Sequence, residues 1–492
     1  MKSYGQVKAV IILLLSVLSL YCGAIDVLAS QEGQLYVGWA GRSITPDEPV
    51  ALAGQFYLRI AEDAANPVTC TALAIETREG QKVIDQAVMV SCDLVGITSR
   101  VQEKVREVVK TKVSNLSVQK IFLNATHTHS APVTRSGSYN IPKEGVMQPE
   151  EYVEFLVGRV AEAVAEAWNN RKPAAVSWAL GQAVVGYNRR AIYSEAQSNW
   201  IGTYTSAMYG KTDVDIFRGI EGYEDHGAEM LFFWDGDEKL TGMLINVTCP
   251  SQQREHEKQI SADFWHDARV AIRERHGREL FIFAQCGAAG DQSPRPLWRK
   301  AAEEEMLKRK GITRWQELGL RIAKAVDEVM PYAKKDIRKE VVFRHIVDEI
   351  ELPRRMVTKA EHDESLRSYE ELKDNPDRRA GWFKRVVDRY NNQRSESPYF
   401  PMELHVIRLS DIAIASNPFE LFLDFGVRIE ARSKAAMTLI TQLSCDTGGY
   451  LPTAKAVAGG HYSATVQSNN VGPEGGQVLV DETVKRINEM WE

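Results

Sequence analysis

The stretch Gln86 to Val95, QAVMVSCDLV, is a short apolar run rich in valine, which is the pattern of a buried β-strand. Residues 98–113 follow it and place valines at helical spacing, with charged residues between them. Residues 119–124, QKIFLN, form another short apolar run and predict a second strand. A strand, a helix and a second strand in this order predict an α/β fold.

The same alternation continues on the C-terminal side of this unit. An amphipathic helix is predicted over residues 151–168, and a helix between two strands over 239–248, 261–275 and 278–284. Strand character returns at 406–415 and 437–443, whereas 297–330 and 357–393 are charge-rich and helical in pattern. We therefore expect an α/β protein with mixed β-sheets flanked by helices, forming one large domain over residues 31–492.

Composition excludes several classes of protein. The chain has 492 residues, of which 44% are hydrophobic and 26% charged, as in ordinary globular proteins, so disordered and fibrous classes are excluded. The 60 Lys and Arg residues are balanced by 66 Asp and Glu, for a net charge of −6. Without a basic excess to neutralise phosphates, nucleic acid is not an expected partner.

The N-terminus has the pattern of a secretory signal peptide. Two lysines precede an apolar run from Ala9 to Tyr21, and small residues follow it up to Ala29. We expect residues 1–29 to be removed and the mature chain to be exported, to the periplasm or the extracellular space. A lipid anchor on Cys22 is the alternative, although the bulky Tyr21 disfavours it. No later segment is apolar enough to cross a membrane.

The cysteines do not form a recognisable framework. Five follow the predicted cleavage site, with no C-x-x-C pair among them: Cys70, Cys92, Cys249, Cys286 and Cys445. This spacing argues against a disulfide scaffold and against a zinc ribbon. Since the number is odd, at least one thiol is expected to be free, and its ordinary role would be that of a small buried hydrophobe.

The most unusual local sequence is residues 124–132, NATHTHSAP, directly after the second predicted strand. In an extended chain residues i and i+2 point to the same side, so His127 and His129 are predicted to face one pocket. Neutral imidazole is a good zinc ligand, which makes this pair a candidate start of a metal site. The alternative is two ordinary loop histidines.

A second cluster, residues 286–294 with the sequence CGAAGDQSP, follows the strand predicted over 278–284. Its glycines predict a tight turn at the carboxyl end of a sheet, where α/β proteins bind ligands. Such a turn would expose Asp291 and Ser293, although a purely structural turn is the alternative. The sequence has neither a G-x-S-x-G elbow nor an H-E-x-x-H helix.

Together the two clusters resemble the neutral/alkaline (non-lysosomal) ceramidase family, in its N-terminal catalytic domain. That family consists of zinc-dependent amidohydrolases that cleave the N-acyl bond of ceramide. Its T-H-T-H-S-G-P motif matches residues 126–132, with Ala131 in place of glycine, and its G-D-x-S-P motif matches residues 290–294. Further islands of resemblance lie at residues 37–46, 91–94 and 449–453, in the order in which the family has them.

The resemblance implies a set of zinc ligands. It makes His127 a ligand, Glu420 in the Asn-Pro-Phe-Glu-Leu stretch a carboxylate ligand, and Tyr450 in Tyr-Leu-Pro-Thr the residue that completes the site. The family's second histidine ligand falls in register on Cys249. A thiolate is an excellent zinc ligand but adds negative charge, which would make the metal a weaker Lewis acid. The alternatives are that His256 replaces it or that the metal is lost.

The resemblance also implies catalytic and substrate-binding residues. Ser293 corresponds to the family's nucleophile, and His129 to the histidine beside the metal and the reacting carbonyl. Arg189 matches a substrate-binding arginine, although Arg190 and Ala191 replace the Ser-Pro that follows it in the family. Tyr462, twelve residues after Tyr450, matches a tyrosine that contacts substrate.

These expectations lead to one principal function and two alternatives. The principal one is an exported zinc amidohydrolase that cleaves the N-acyl bond of a ceramide-like lipid, as part of sphingolipid metabolism. We expect no C-terminal β-sandwich domain of the kind many family members carry, because the sequence ends soon after the Tyr450 motif. Aromatic residues interleaved with polar ones over 193–225 would also suit another small molecule. The alternatives are therefore a hydrolase of a different ester, N-acyl or glycan-derived substrate, and a non-catalytic binding protein with a degenerate metal site.

Overall fold

The strand–helix–strand unit predicted around residues 86–124 is present in the computed structural model, which describes residues 31–374 and 378–492. The predicted signal peptide lies outside the described residues. The strands are β1 (Glu32–Ser43), β2 (Val50–Leu52), β3 (Arg59–Ala61), β4 (Thr69–Glu79), β5 (Lys82–Cys92), β6 (Ile121–Ala125), β7 (Lys172–Gln182), β8 (Tyr187–Asn188), β9 (Arg190–Asn199), β10 (Gly202–Met208), β11 (Phe217–Ile220), β12 (Gly227–Asp235), β13 (Leu240–Val247), β14 (Phe281–Cys286), β15 (Gln292–Ser293), β16 (Glu340–Pro353), β17 (Tyr399–Leu409), β18 (Ile412–Ser416), β19 (Phe419–Leu421), β20 (Met437–Thr441) and β21 (Gly449–Leu451).

The helices are α1 (Ser99–Lys112), α2 (Pro149–Asn169), α3 (Phe264–His276), α4 (Lys300–Lys310), α5 (Arg314–Ala333), α6 (Lys359–Leu372), α7 (Arg378–Asn392), α8 (Leu423–Arg432), α9 (Ala454–Gly459) and α10 (Pro473–Glu489). Mixed sheets flanked by helices confirm the predicted α/β class. No helix in the described ranges is both long enough and apolar enough to span a membrane.

Strand β1 connects three lobes of one 12-stranded sheet. One edge of β1 pairs with β4, which begins the first lobe, β4–β5–β6. The other edge pairs with β7 at Tyr36 and Val37 and with β16 at residues 32–34. These contacts begin the second lobe, β7–β12–β13–β14, and the third lobe, β16–β17–β18–β20.

The inner faces of the three lobes share one apolar core, which includes Phe122, Phe233 and Phe343. Each outer face is covered by helices: α1 and α2 on the first lobe, α3 and α5 on the second, and α8 and α10 on the third. The apolar spacing in these helices explains their packing, because one face of each helix is turned to the sheet. Full burial of one such aromatic or aliphatic side chain contributes about 1.5–3 kcal/mol.

Each lobe contributes one parallel pair of strands: β5 with β6, β13 with β14, and β18 with β20. Buried polar side chains join the three pairs near their carboxyl ends. Ser91 Oγ donates to the carbonyl of Ala284 at 2.6 Å, and Asn246 Nδ2 donates to the carbonyl of Ile440 at 2.9 Å. The loops that follow all three pairs therefore meet at one place, which is where ligands bind in α/β sheets.

Two stretches differ from their sequence-based description. The single strand predicted over 406–415 is wrong, since β17 ends at Leu409 and a turn leads into β18. Ser410 adopts a left-handed backbone with φ of 56° at this turn. The charge-rich stretches 297–330 and 357–393 are helical, as predicted, but each divides into two helices: α4 with α5, and α6 with α7.

Candidate active site

The loops that follow the three parallel strand pairs bring together side chains far apart in the sequence. His127 and His129 follow β6, Gln252 and Glu255 follow β13, and Glu420 lies on β19 just after β18. Such a cluster is what the convergence of three sets of carboxyl ends produces.

The loop after β6 holds His127 in a defined orientation. Its backbone is left-handed, with φ of 62°, and its side chain is buried. The ring Nδ1 lies 2.6 Å from the carbonyl oxygen of Val95 and donates to it, which leaves a lone pair on Nε2. This Nε2 lies 3.3 Å from Glu420 Oε2.

Glu420 and Tyr450 are neighbours on the short parallel strands β19 and β21, where they are in register. The Tyr450 hydroxyl donates a hydrogen bond to the Glu420 carboxylate. This contact lowers the pKa of Glu420 and raises the pKa of Tyr450. Burial opposes ionisation of Glu420, but the polar groups around the carboxylate, Arg189 among them, outweigh it, so the pKa of Glu420 lies below its ordinary value. Burial and the adjacent carboxylate raise the pKa of Tyr450 well above its ordinary value.

The turn predicted at residues 286–290 packs directly against the strand that carries Glu420. The amide of Gly290 donates to the carbonyl of Leu421 at 2.7 Å. A Cβ atom on Gly290 would lie 2.3 Å from the carbonyl oxygen of Glu420. Only glycine therefore allows this loop to approach the strand that carries the carboxylate.

His129 lies beside His127, with 3.3 Å between their Nε2 atoms. Its Nδ1 lies 3.0 Å from Glu255 Oε2, and Glu255 in turn accepts from Arg295 at 2.6 Å. Burial lowers the pKa of His129 to about 4, although Glu255 acts in the opposite direction, so the ring is neutral at pH 7. Gly54, with φ of 99°, passes so close that a Cβ atom there would lie 2.4 Å from the His129 ring.

Gln252 connects His129 to Arg189. Its Nε2 donates to His129 Nε2 at 2.8 Å, and its Oε1 accepts from Arg189 Nη1 at 3.2 Å and from the Tyr209 hydroxyl at 3.1 Å. Arg189 is buried, and its Nη2 lies 4.0 Å from Glu420 Oε2. Its Nε has no hydrogen-bond partner in the described part of the chain, which leaves a donor for a bound molecule.

Tyr462 belongs to an aromatic cluster next to this polar group, which we call the aromatic wall (Phe56, Trp200, Trp382, Tyr462). The Tyr462 ring lies 5.4 Å from Tyr450 and 5.5 Å from Phe56, centroid to centroid. Phe56 contacts Trp200 and Trp382 edge-on at 5.9 and 6.1 Å. The wall thus extends from the Glu420–Tyr450 pair to Trp200, which is 39% exposed.

Ser293 is buried on the short strand β15, which follows the loop after β14, and its hydroxyl accepts from the amide of Arg295 at 3.2 Å. No hydrogen bond joins this hydroxyl to another predicted site residue among the described residues. The loop itself is anchored beside the site, because the amide of Arg189 donates to the carbonyl of Asp291 at 2.9 Å.

Cys249 is not gathered with His127 and Glu420. Its Sγ donates to the carbonyl of Val185 at 3.2 Å, within the apolar core of the second lobe, and burial raises the pKa of the thiol well above its ordinary value. The side chain of His256, the alternative to Cys249, is 65% exposed, and its Nδ1 lies 3.2 Å from the Tyr57 hydroxyl. All five described cysteines are free and buried.

A different group in the described residues has three possible metal-ligand atoms within 4.8 Å of one another. It lies outside the candidate site and consists of Glu403, His405 and Cys445. His405 Nε2 lies 2.6 Å from Glu403 Oε1, and His405 Nδ1 lies 2.9 Å from His345 Nε2. Glu403 also accepts two hydrogen bonds from Arg106, at 2.7 and 2.8 Å. A metal ion would have to displace that guanidinium, so this group is a satisfied polar network.

The donor set at His127 fits a zinc-type cation. A lone pair on His127 Nε2 faces a carboxylate oxygen of Glu420, and two facing acceptors are stabilised only by a proton or a cation between them. The Tyr450 hydroxyl oxygen, in contact with the same carboxylate, supplies a third possible metal ligand. One imidazole and two oxygen ligands match the count of a catalytic zinc site with one open position.

Three residues of this network escaped the sequence analysis: Gln252, Glu255 and Tyr209. Gln252 and Glu255 lie in residues 249–255, CPSQQRE, directly after the carboxyl end of β13. That position was a usable signal, because polar residues after a parallel strand point to the ligand-binding edge. Tyr209 belongs to the aromatic residues interleaved with polar ones over 193–225, but its contact with Arg189 depends on a turn with φ of 55° after β10, which no sequence pattern predicts.

Comparison with known proteins supports a likeness of fold. No protein-family model and no curated protein sequence matches the chain. A solved structure titled as a ceramidase complexed with C2 superposes with a TM-score of 0.65 and 17% identity, covering 92% of this chain and 74% of that one. The neutral ceramidase of Pseudomonas aeruginosa gives a TM-score of 0.64 and 17% identity, covering 93% of this chain and 75% of that one. The resemblance predicted from the sequence is thus confirmed as a shared fold.

Proposed function

We propose that this protein is an exported, zinc-dependent amidohydrolase that cleaves the N-acyl bond of a ceramide-like lipid. The proposal rests on the contact between His127 Nε2 and Glu420 Oε2, which lie 3.3 Å apart. This contact lies where the carboxyl ends of three parallel strand pairs converge. The fold shared with two ceramidases supports the same reaction class.

His127, Glu420 and Tyr450 would hold the zinc ion. Bound there, zinc supplies Lewis-acid polarisation of the scissile carbonyl and lowers the pKa of a coordinated water. The hydrogen bond from His127 to Val95 fixes the ring tautomer that zinc requires. Cys249 is not included, because its Sγ donates a hydrogen bond to the Val185 carbonyl.

His129 would act as the general base. Glu255 Oε2, 3.0 Å from Nδ1, favours the tautomer with its proton on Nδ1, so Nε2 would present a lone pair that can take a proton from the attacking water and later return it to the leaving amine. The shift of the His129 pKa to about 4 keeps the ring unprotonated at neutral pH. Gln252 donates to this lone pair, and substrate or water would have to displace that amide.

Arg189 would stabilise the negative charge that develops on the carbonyl oxygen. It is buried, held by Tyr209 at 2.7 Å and by the Gly290 carbonyl at 2.9 Å, and it lies close to Glu420. A donor fixed in this way needs no reorganisation as charge develops. Ser293 remains the alternative nucleophile predicted from the sequence, and the Ser293→Ala variant distinguishes covalent attack from attack by water.

The aromatic wall would contact the substrate through Tyr462. Its rings offer apolar surface for an acyl chain and flat faces for a sugar or an aryl group. That observation favours a second candidate, a hydrolase of another N-acyl or ester substrate on the same scaffold.

The test measures zinc content and turnover of the purified protein against fluorogenic ceramide, short N-acyl amides and esters. Stoichiometric zinc with preferred turnover of ceramide is the expected result. Preference for a short amide or an ester would favour the second candidate. Stoichiometric zinc without turnover of any substrate would favour a binding protein. Mass spectrometry of exported protein should find an N-terminus just after Ala29, and an intact N-terminus or a lipid on Cys22 would contradict export as a soluble chain.

A further inference from the structure

A cavity of about 550 Å³ opens on the second lobe between helices α4 and α5. None of the site residues described above lines it. Its volume lies within the range of about 300–1,000 Å³ that is usual for small-molecule pockets. Tyr187 of β8 forms part of its wall, and β8 pairs with the Ser293 strand, so the cavity and the candidate site lie on connected elements.

Helix α4 turns its apolar residues toward this cavity instead of the core. No residue of α4 is buried, although Ala302, Met306 and Leu307 all line the cavity, and Met306 is 47% exposed. Apolar side chains that line a concave surface are usual in small-molecule pockets. The wall opposite includes Val184, so an apolar chain would find contacts on both sides.

The charges in the lining favour an anion. Glu303 is paired with Arg299 and Arg314, and Glu317 with Lys310 and Arg321. The carboxylate side chains are only 14% and 10% exposed, whereas those of Arg299 and Lys310 are both 41% exposed.

Lys324 adds a further cation to the lining. It is exposed and forms no ion pair within residues 31–374 and 378–492. The lining therefore carries four cations, Arg299, Lys310, Arg321 and Lys324, against two carboxylates, and it presents positive charge at the opening.

We propose that this cavity binds a single-chain amphiphile with an anionic head, of the fatty-carboxylate class. The chain would lie along Met306 and Leu307, and the carboxylate would be held by Lys324. The inference goes beyond the proposed hydrolysis, because binding here requires none of the candidate active-site residues.

The test is titration of the purified full-length protein with a fluorescent long-chain fatty acid. Met306→Glu should weaken binding at least about tenfold, because it places a negative charge where the apolar chain would lie. Met356→Glu is the matched control, since Met356 is also 47% exposed but lies outside the cavity. Lys324→Glu should weaken binding of the acid but not of its methyl ester, whereas Lys308→Glu, on α4 but outside the lining, should leave both unchanged. Thermal melts of all four variants confirm that they fold.

Equal binding by the Met306→Glu and Met356→Glu proteins would overturn the proposal. So would a loss of binding in Glu420→Gln, which would place the fatty acid in the candidate active site. Binding to anionic lipid vesicles, but not to the free acid, would identify a membrane-surface site and equally overturn it. Because turnover is not measured, these results are independent of the proposed hydrolase function.

Discussion

Two clusters in this protein each pair neighbouring buried histidines with glutamate, yet they differ in how their polar atoms are satisfied. In the candidate site, His127 and His129 lie with Nε2 atoms 3.3 Å apart, beside Glu420 and Glu255. On strands β16 and β17, His345 Nε2 and His405 Nδ1 lie 2.9 Å apart, and His405 lies beside Glu403. We call the second group the closed cluster (His345, His405, Glu403, Arg106).

In the closed cluster every histidine nitrogen has a partner. His345 Nδ1 lies 3.2 Å from the Gln86 carbonyl, and the chain of contacts continues through His405 to Glu403. Arg106 supplies the countercharge through two hydrogen bonds, and Phe122 stacks on His405 at 4.6 Å. In the candidate site, Glu420 Oε2 lies 3.3 Å from His127 Nε2 but 4.0 Å from Arg189 Nη2. Burial of histidines beside glutamate is thus common to both clusters, and what distinguishes them is that Arg106 pairs fully with Glu403, whereas Glu420 has no guanidinium so close in the described part of the chain.

The largest expected effect is that of Glu420→Gln on turnover. Loss of the carboxylate removes a proposed zinc ligand, so kcat/KM should fall about 1,000-fold, roughly 4 kcal/mol of transition-state stabilisation. The unfolding temperature should change little. Kinetics and thermal melts of the same preparation provide the measurement, and turnover within threefold of the parent would refute the role of Glu420.

The matched change in the closed cluster, Glu403→Gln, should have the opposite outcome. It leaves Arg106 without its countercharge, and breaking a buried ion pair costs about 3–5 kcal/mol. The side chains of Arg106 and Glu403 are 12% and 28% exposed, so the lower end of that range is expected. Urea unfolding measures the loss, and kcat of the folded fraction should be unchanged. A large loss of turnover without a loss of stability would show that the closed cluster also takes part in catalysis.

Within the candidate site, Glu255→Gln tests whether Glu255 positions His129. Since a residue that orients a base acts on the chemical step, kcat should fall about 10- to 100-fold with KM nearly unchanged. Glu255→Asp should restore part of the rate because it keeps the carboxylate. If Gln and Asp variants were equally impaired in KM alone, the contact would serve substrate binding and not His129.

Acid should destabilise the protein through the two buried histidines of the closed cluster. Burial lowers the pKa of His345 and of His405 below the ordinary value of 6.5. The unfolded chain therefore binds more protons as the pH falls below about 6.5, and stability is lost at up to about 1.4 kcal/mol per pH unit for each ring. Urea unfolding between pH 8 and 5 measures this slope. His345→Gln should reduce it, whereas His256→Gln, at a side chain 65% exposed, should not.

The smallest effect is expected for Cys249→Ser. Because Sγ is bonded to the Val185 carbonyl in an apolar core, zinc content should stay the same and stability should fall by about 1 kcal/mol. Elemental analysis decides the matter. A sharp fall in zinc would show that the thiol turns toward His127, as the sequence register predicted, and Cys249→His would then be expected to retain the metal.

Regular elements were predictable because their spacing is visible in the sequence. The unit from β5 to β6 and helix α2 follow from apolar periodicity alone. The turn between β17 and β18 was missed, because strand-like residues continue on both sides of Ser410 and only its left-handed backbone breaks them.

The candidate site was predictable only in part. His127 and His129 do lie together, but the stated reason is incorrect, since His127 has φ of 62° and is not extended. After β13 the family resemblance predicted that Cys249 belongs to the site. In the structure Gln252 and Glu255 contact His129 instead. Irregular loops have no fixed period, so which of several consecutive side chains turns inward depends on backbone angles that the sequence does not reveal.

The convergence of the three strand pairs also has a consequence for the order in which the molecule forms. Residues from His127 to Tyr450 belong to separate lobes, so none of the lobes can assemble the pocket by itself. Contacts this distant along the chain close late in folding, because long loops must be ordered first. During synthesis the histidines would emerge long before Glu420, and the chain would have no working pocket until the last lobe docks. The completed pocket would then report that all three lobes have docked.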